Sequence, residues 1–201
     1  MLILAFDTAT DAATCALCRG ESVLAERRTT AATLLSEVER LAADAGVVPA
    51  AIDAVVVGTG PGRYTSLRMG LVTARALALA LDVPVAGVST LDALAAAGDT
   101  ALPVIDARRS EVFTLDPGPV CRPPDELELD PGRMCVGDGA VRYRAVLEAA
   151  GGSVPPDDDL RHVPWARYHA RLASSFGPAE LAEPIYLRAP DADRALERAS
   201  R

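Results

Sequence analysis

The sequence predicts an α/β fold with mixed sheets. Short apolar runs end in turn residues, apolar stripes of helical period lie between them, and the first half orders them β-β-β-α-β-α-β-α. LILAFDT (2–8) reads as a buried strand ending in an acid. The turn ATDAA leads into TCALCRG (14–20) and SVLAERR (22–28), a run of antiparallel strands. Residues 31–45 form a helix in which Leu34, Val38, Leu41 and Ala45, flanked by Leu35 and Ala42, make a stripe wide enough to cover a sheet. Gly46 stops it. IDAVVVGTG (52–60) is a second buried strand, and the loop GTGPGRYTSLRMG (58–70) opens a helix over 66–81. VPVAGVST (83–90) is a short strand of parallel type, and Ser89 or Thr90 caps a helix through Ala97.

Composition changes near Gly98, and a domain boundary is expected between residues 98 and 102. ALPVIDARRSEVFTLD (101–116) is a hairpin built on Asp106, and residues 117–133 are a proline-rich connection. MCVGDGA (134–140) is a strand and turn, followed by a helix over 141–151. An acidic, proline-rich loop (153–164) precedes a helix at 165–176, and PIYLRAPDADR ends the fold. The two halves echo each other as strand, acid, hairpin.

With 201 residues, 50% hydrophobic and 24% charged, the chain is long enough for a substantial core. A net charge of −8 repels phosphate backbones, which argues against free-standing nucleic-acid binding. No stretch reaches the roughly 18 apolar residues of a membrane span, and MLILAFDTAT lacks the basic start of a signal peptide. A cytoplasmic protein is expected. All 20 basic residues are arginine, which excludes P-loop, Schiff-base and kinase lysines together. Cys15 and Cys18 lie three apart in a strand and so point to opposite faces, which disfavours a shared metal.

Asp7-Thr8-Ala9-Thr10 resembles the first phosphate loop of the actin, sugar kinase and Hsp70 superfamily, where the acid orients a Mg²⁺–nucleotide. The alternative is a strand-end acid beside a capping threonine. In the glycine loop, Gly58, Gly60 and Gly62 permit positive φ or close backbone approach, and Thr65 or Ser66 is placed to cap the helix. A helix start of this kind can cradle an anion. Yet the loop is neither GxxxxGKS/T nor GxGxxG, because Arg63 stands where the third glycine would fall. By spacing, the anion cradle and the plain strand-to-helix turn both stand.

The helix over 66–81 is apolar nearly all round. Leu67, Gly70, Ala74, Leu77 and Leu81 share the face expected to pack on the sheet. Leu71, Val72, Ala78 and Leu79 are expected on the outer side, with Arg68 and Arg75 between them. That outer side suits a protein partner whose acids meet the two arginines; the alternative cover is the second half of the chain or helix 91–97. Asp106-Ala-Arg108-Arg109-Ser-Glu111 is expected as a salt-bridged hairpin, and Gly137-Asp138-Gly139 as a strand-to-helix turn. His162 and His169 are expected in surface or packing roles.

LAFDTAT, VVVGTGPGRYTSLRMGL, VPVAGVSTLDALA, VIDARRSEVF, VGDGA and PIYLR, in this order, resemble the TsaB (YeaZ) family over nearly the whole chain. The resemblance implies a two-domain actin-like fold (ASKHA, ribonuclease H-like), with domains at 1–100 and 101–201. It implies a subunit with no catalytic residue, metal or resident cofactor. Such a subunit pairs with the TsaD transferase and works with the TsaE ATPase, which together threonylcarbamoylate N6 of adenosine 37 in tRNAs reading ANN codons. Pairing would use helices 31–45 and 66–81, through Leu34, Leu35, Val38, Leu41, Arg68, Leu71, Val72, Arg75 and Leu79. Asp7, Thr8, Gly60 and Gly62 would be a vestigial, at most weak, nucleotide site. The tRNA would meet this subunit only within the complex, and the same helices could close a homodimer when TsaD is absent. The metal-binding HxxxH of TsaD has no counterpart here. Against this stands an enzyme of the same superfamily, kinase-like or glycoprotease-like, built on Asp7 and the glycine turns.

Overall fold

β1 (Leu2–Asp7) is buried at every residue, because strands flank it on both sides and helices cover both its faces. β2 (Ala13–Arg19) pairs antiparallel with β1, and β3 (Ser22–Thr29) pairs antiparallel with β2. β4 (Ala54–Gly58) and β5 (Val85–Val88) join in parallel on the other side, giving the order β3-β2-β1-β4-β5. The computed structural model describes residues 1–98 and 101–188.

Side chains alternate across this sheet. Leu4, Phe6, Leu17, Val55 and Val57 meet α1 (Leu34–Asp44) and α2 (Tyr64–Leu81). α1 begins after a 3₁₀ turn at Ala31–Thr33, in which Thr30 and Thr33 form a reciprocal capping box. α2 starts at Tyr64, ahead of the expected residue 66, so Thr65 and Ser66 lie inside it and Arg63 takes the N-cap position without a side-chain cap. α3 (Thr90–Ala95) is capped by Ser89, whose side chain accepts from the Asp92 N–H.

The second sheet has the order β8-β7-β6-β9, from β6 (Leu102–Arg108), β7 (Glu111–Leu115), β8 (Pro119–Arg122) and β9 (Cys135–Val136). β8 lies within the stretch expected to be only a connection. Proline at its first residue hides it from pattern reading, and its place at the sheet edge tolerates that proline. The expected helix over 141–151 is two pieces, α4 (Asp138–Arg142) and α5 (Arg144–Ala149), broken at Tyr143 (φ −107°). One face of the second sheet packs on α4 and α5 through Val104, Val112, Ala140 and Leu147. The other receives Leu91 and Leu94 of α3 against Ile105 and Phe113.

The chain then returns. α6 (Ala166–Leu172) lies on the second face of the first sheet, where Ala166 and Ala170 meet Ala5, Ala16, Val56 and Ala86. Small residues on both sides let helix and sheet approach closely. Thus the two sheets fall on either side of the expected boundary at residue 100, while α6 belongs to the first sheet's layers. That boundary residue and residues 189–201 of the expected second domain lie outside the described residues. Cys15 and Cys18 sit in opposite layers of the first sheet, and burial pushes both thiols up to about 11.

Candidate functional site

Asp7 ends β1 beside Gly58 at the end of β4, its parallel neighbour. A Cβ on Gly58 would fall 1.9 Å from Asp7 Oδ2, so only glycine leaves room for the carboxylate. Asp7 Oδ1 accepts the Ala9 N–H at 2.7 Å, and Oδ2 accepts the Thr90 hydroxyl at 2.6 Å. His169 of α6 brings Nε2 to 2.8 Å from Oδ2, a close approach that is not aligned as a hydrogen bond. Its Nδ1 lies 3.3 Å from the Trp165 carbonyl oxygen, so both ring nitrogens face acceptors. Asp7, Thr90 and His169 are all 0% exposed.

The glycine loop closes on the same turn. Thr8 donates to the Ser66 carbonyl at 2.7 Å, and a Cβ on Gly70 would strike Thr8 Oγ1 at 2.2 Å. Arg63 N–H donates to the Ala9 carbonyl at 2.7 Å, and a Cβ on Gly62 would meet that oxygen at 2.2 Å. Gly60 takes a positive φ of 82°. The structure therefore brings Asp7, Thr8, Gly60 and Gly62 together, and the glycines accommodate the chain's own turn. Sequence reading missed Thr90 and His169 as partners of Asp7, since no local signal links elements so far apart.

A second set of charges gathers beside this turn, where the β6–β7 hairpin meets it. Asp106 Oδ1 accepts the Arg108 N–H at 2.9 Å and the Tyr143 hydroxyl at 3.3 Å. Its Oδ2 pairs with Arg108 at 3.1 Å and Arg142 at 3.6 Å. Arg108 also reaches Asp11 at 3.3 Å, and Asp11 pairs in turn with Arg63. The salt-bridged hairpin expected from sequence is present, and Arg108, Arg109 and Ser110 all hold positive φ (64°, 54° and 60°). Burial raises the Asp138 carboxyl, whose Oδ1 accepts the Asp106 N–H at 3.0 Å. Among the described residues, no group of three or more His, Cys, Asp or Glu is arranged to hold a metal.

The outer face of α1 and α2 differs in detail from expectation. Leu71 is 4% exposed and packs in the core with Leu67, Ala74 and Ala78. Four residues advance a helix by about 40°, so Leu71 shares the sector of Leu67 rather than facing outward. Leu34 and Leu41 are likewise core residues at 2% and 0% exposure, and Val38 packs against the same core. The α1 stripe that covers the sheet cannot also meet a partner. What remains outward is Leu35 on α1 and Tyr64, Met69, Val72 and Leu79 on α2, with Leu79 85% exposed and Val72 64%.

Arg68 and Arg75 are exposed, but both are held by the C-terminal segment. Arg75 donates to the Ala182 carbonyl at 3.0 Å. Arg68 Nε donates to the Tyr186 hydroxyl at 2.9 Å, and its guanidinium lies 4.0 Å over the Tyr64 ring. Ile185 N–H donates to the Thr59 carbonyl at 2.8 Å, which seats this segment beside the start of α2. Tyr186 is thus a surface residue of this face that helix periodicity could not reveal. No helix among the described residues is long and apolar enough to cross a membrane.

Known proteins share this fold. A family model described as TsaD, tRNA N6-adenosine threonylcarbamoyltransferase, matches residues 24–122. An uncharacterized protein of Mycobacterium tuberculosis is 38% identical over 94% of this chain and 93% of its own length. The tRNA threonylcarbamoyladenosine biosynthesis protein TsaB of Bacillus subtilis is 37% identical over 57% of this chain and 54% of that protein. The solved structure of YeaZ from Pseudomonas aeruginosa superposes with a TM-score of 0.75 at 26% identity, covering 92% of this chain and 99% of that one. With its actin-like arrangement of two mixed sheets, the chain belongs to the TsaB (YeaZ) family.

Proposed function

We propose that this protein is a non-catalytic subunit of tRNA threonylcarbamoyladenosine biosynthesis. It pairs with a TsaD homologue and acts with a TsaE homologue in threonylcarbamoylation of N6 of adenosine 37 in tRNAs reading ANN codons. The observation that carries this is the apolar outer face of α2, where Val72 and Leu79 stand 64% and 85% exposed. Exposed apolar side chains grouped on one helix face mark an interaction surface. The names of the TsaB relatives support the pathway.

The kinase-like alternative needs Asp7 to reach a Mg²⁺–nucleotide. Its carboxylate is instead fully buried, with both oxygens engaged by Ala9, Thr90 and His169. This supports a subunit that works by contact and holds no cofactor of its own. Light scattering after size exclusion, on the protein alone and mixed with the TsaD homologue of the same genome, tests the reading. A 1:1 heterodimer is expected. Failure to form it, with TsaE homologue and nucleotide added, overturns the proposal.

A further inference from the structure

Many of the described arginines pair with a carboxylate within the fold. Arg27, Arg63, Arg108, Arg144, Arg161 and Arg167 each have a carboxylate partner. Arg68 differs. Its environment consists of the Tyr64 and Tyr186 phenols, and no described carboxylate pairs with it. α2 itself carries no Asp or Glu from residue 64 to residue 81.

The geometry also fixes how this cation is presented. The Tyr64 and Tyr186 rings lie 5.6 Å apart at 31°, and the Arg68 guanidinium is 4.0 Å and 5.9 Å from their centroids. Nε is committed to the Tyr186 hydroxyl. The two terminal nitrogens form the fork that matches a carboxylate. A flexible arginine would have to be ordered on binding, whereas this one is already held by a ring stack and a hydrogen bond. Met69 and Val72 line the shallow groove beside it, so an incoming carboxylate would be partly shielded from water.

We propose that Tyr64, Arg68 and Tyr186 form a preset carboxylate clamp on the partner face. Its occupant is an aspartate or glutamate on an apolar helix of the TsaD-type partner. This rests on the pairing proposed above. A second copy of this chain is a poorer occupant, because α2 packed on α2 would set Arg68 and Arg75 against an acid-free helix.

The test measures affinity for the TsaD homologue by isothermal titration calorimetry at low and high salt, with thermal melting of each variant alone. Arg68→Ala should weaken binding about tenfold, and Arg68→Glu about a hundredfold at low salt. The gap between them should narrow at high salt, because an opposing carboxylate repels only the reversed charge. Tyr186→Phe, which keeps the ring and removes the hydroxyl, should weaken binding severalfold. Val72→Asp serves as the control for the face itself. If Val72→Asp abolishes binding while Arg68→Ala and Arg68→Glu bind alike, the clamp is wrong and the face stands. If Val72→Asp binds normally, the face is wrong and the clamp falls with it. If the Arg68 variants lose only self-association of this chain, the occupant is a second copy and the proposal is overturned.

Discussion

The turn around Asp7 and the outer face of α2 are neighbours, yet their chemistry is opposite. The first is a polar constellation with no solvent-exposed surface: an acid whose contacts are all supplied by its own chain. The second is an apolar surface with an arginine that no described acid neutralises. A buried acid held by its own chain stabilises a fold, and an exposed apolar surface awaits a partner. The glycine loop that first suggests a phosphate site serves the interior: it lets the start of α2 seat on Ala9, and so aims the opposite side of the helix outward.

The contrast is broken if a substitution affects the wrong property, so stability and partner affinity are best measured together. The largest effect is expected for Leu71→Glu, which puts a charge into the core and should destabilise by about 4 kcal/mol or more, abolishing folded monomer in chemical denaturation. Were Leu71 a partner residue instead, the monomer would melt normally. Asp7→Ala should cost about 3 kcal/mol, because it leaves the Thr90 hydroxyl and the Ala9 N–H buried without their acceptor. A thermal midpoint unchanged in this variant would show an open ligand site rather than a structural one.

Val72→Asp should reverse the pattern. Its stability should stay within about 0.5 kcal/mol of the parent, as for most exposed positions, while partner affinity falls about a hundredfold, near 2.7 kcal/mol. The smallest effect concerns Asp138. Its carboxyl is raised first by burial and further by the charge of Asp106, so the ionised form is the one the fold disfavours. As pH falls through the raised folded value, the native state takes up a proton before the unfolded chain does, and this strain is relieved. Asp138→Asn should therefore stabilise at neutral pH, with the gain shrinking as pH falls through the raised folded value, in denaturant titrations at several pH values.

Much was readable from local pattern. The strands around Asp7, the hairpin on Asp106 and the sheet-covering stripe Leu34-Val38-Leu41 follow from periodicity, because alternation and helical spacing are properties of adjacent residues. The family motifs likewise run in order along the chain. The orientation of α2 was readable in part: Leu67, Gly70 and Ala74 face in and Val72 and Leu79 face out as expected. Its edge was not, because a helix apolar nearly all round has little angular contrast, and the packed sheet shows that Leu71 and Ala78 point in. Nor does any local rule join Asp7 to Thr90 and His169, or Arg68 to Tyr186. Those contacts exist because α6 returns to the first sheet and the C-terminal segment lies along α2. Local order follows from neighbours in the chain, whereas the buried polar cluster and the exposed arginine clamp depend on elements that only folding brings together.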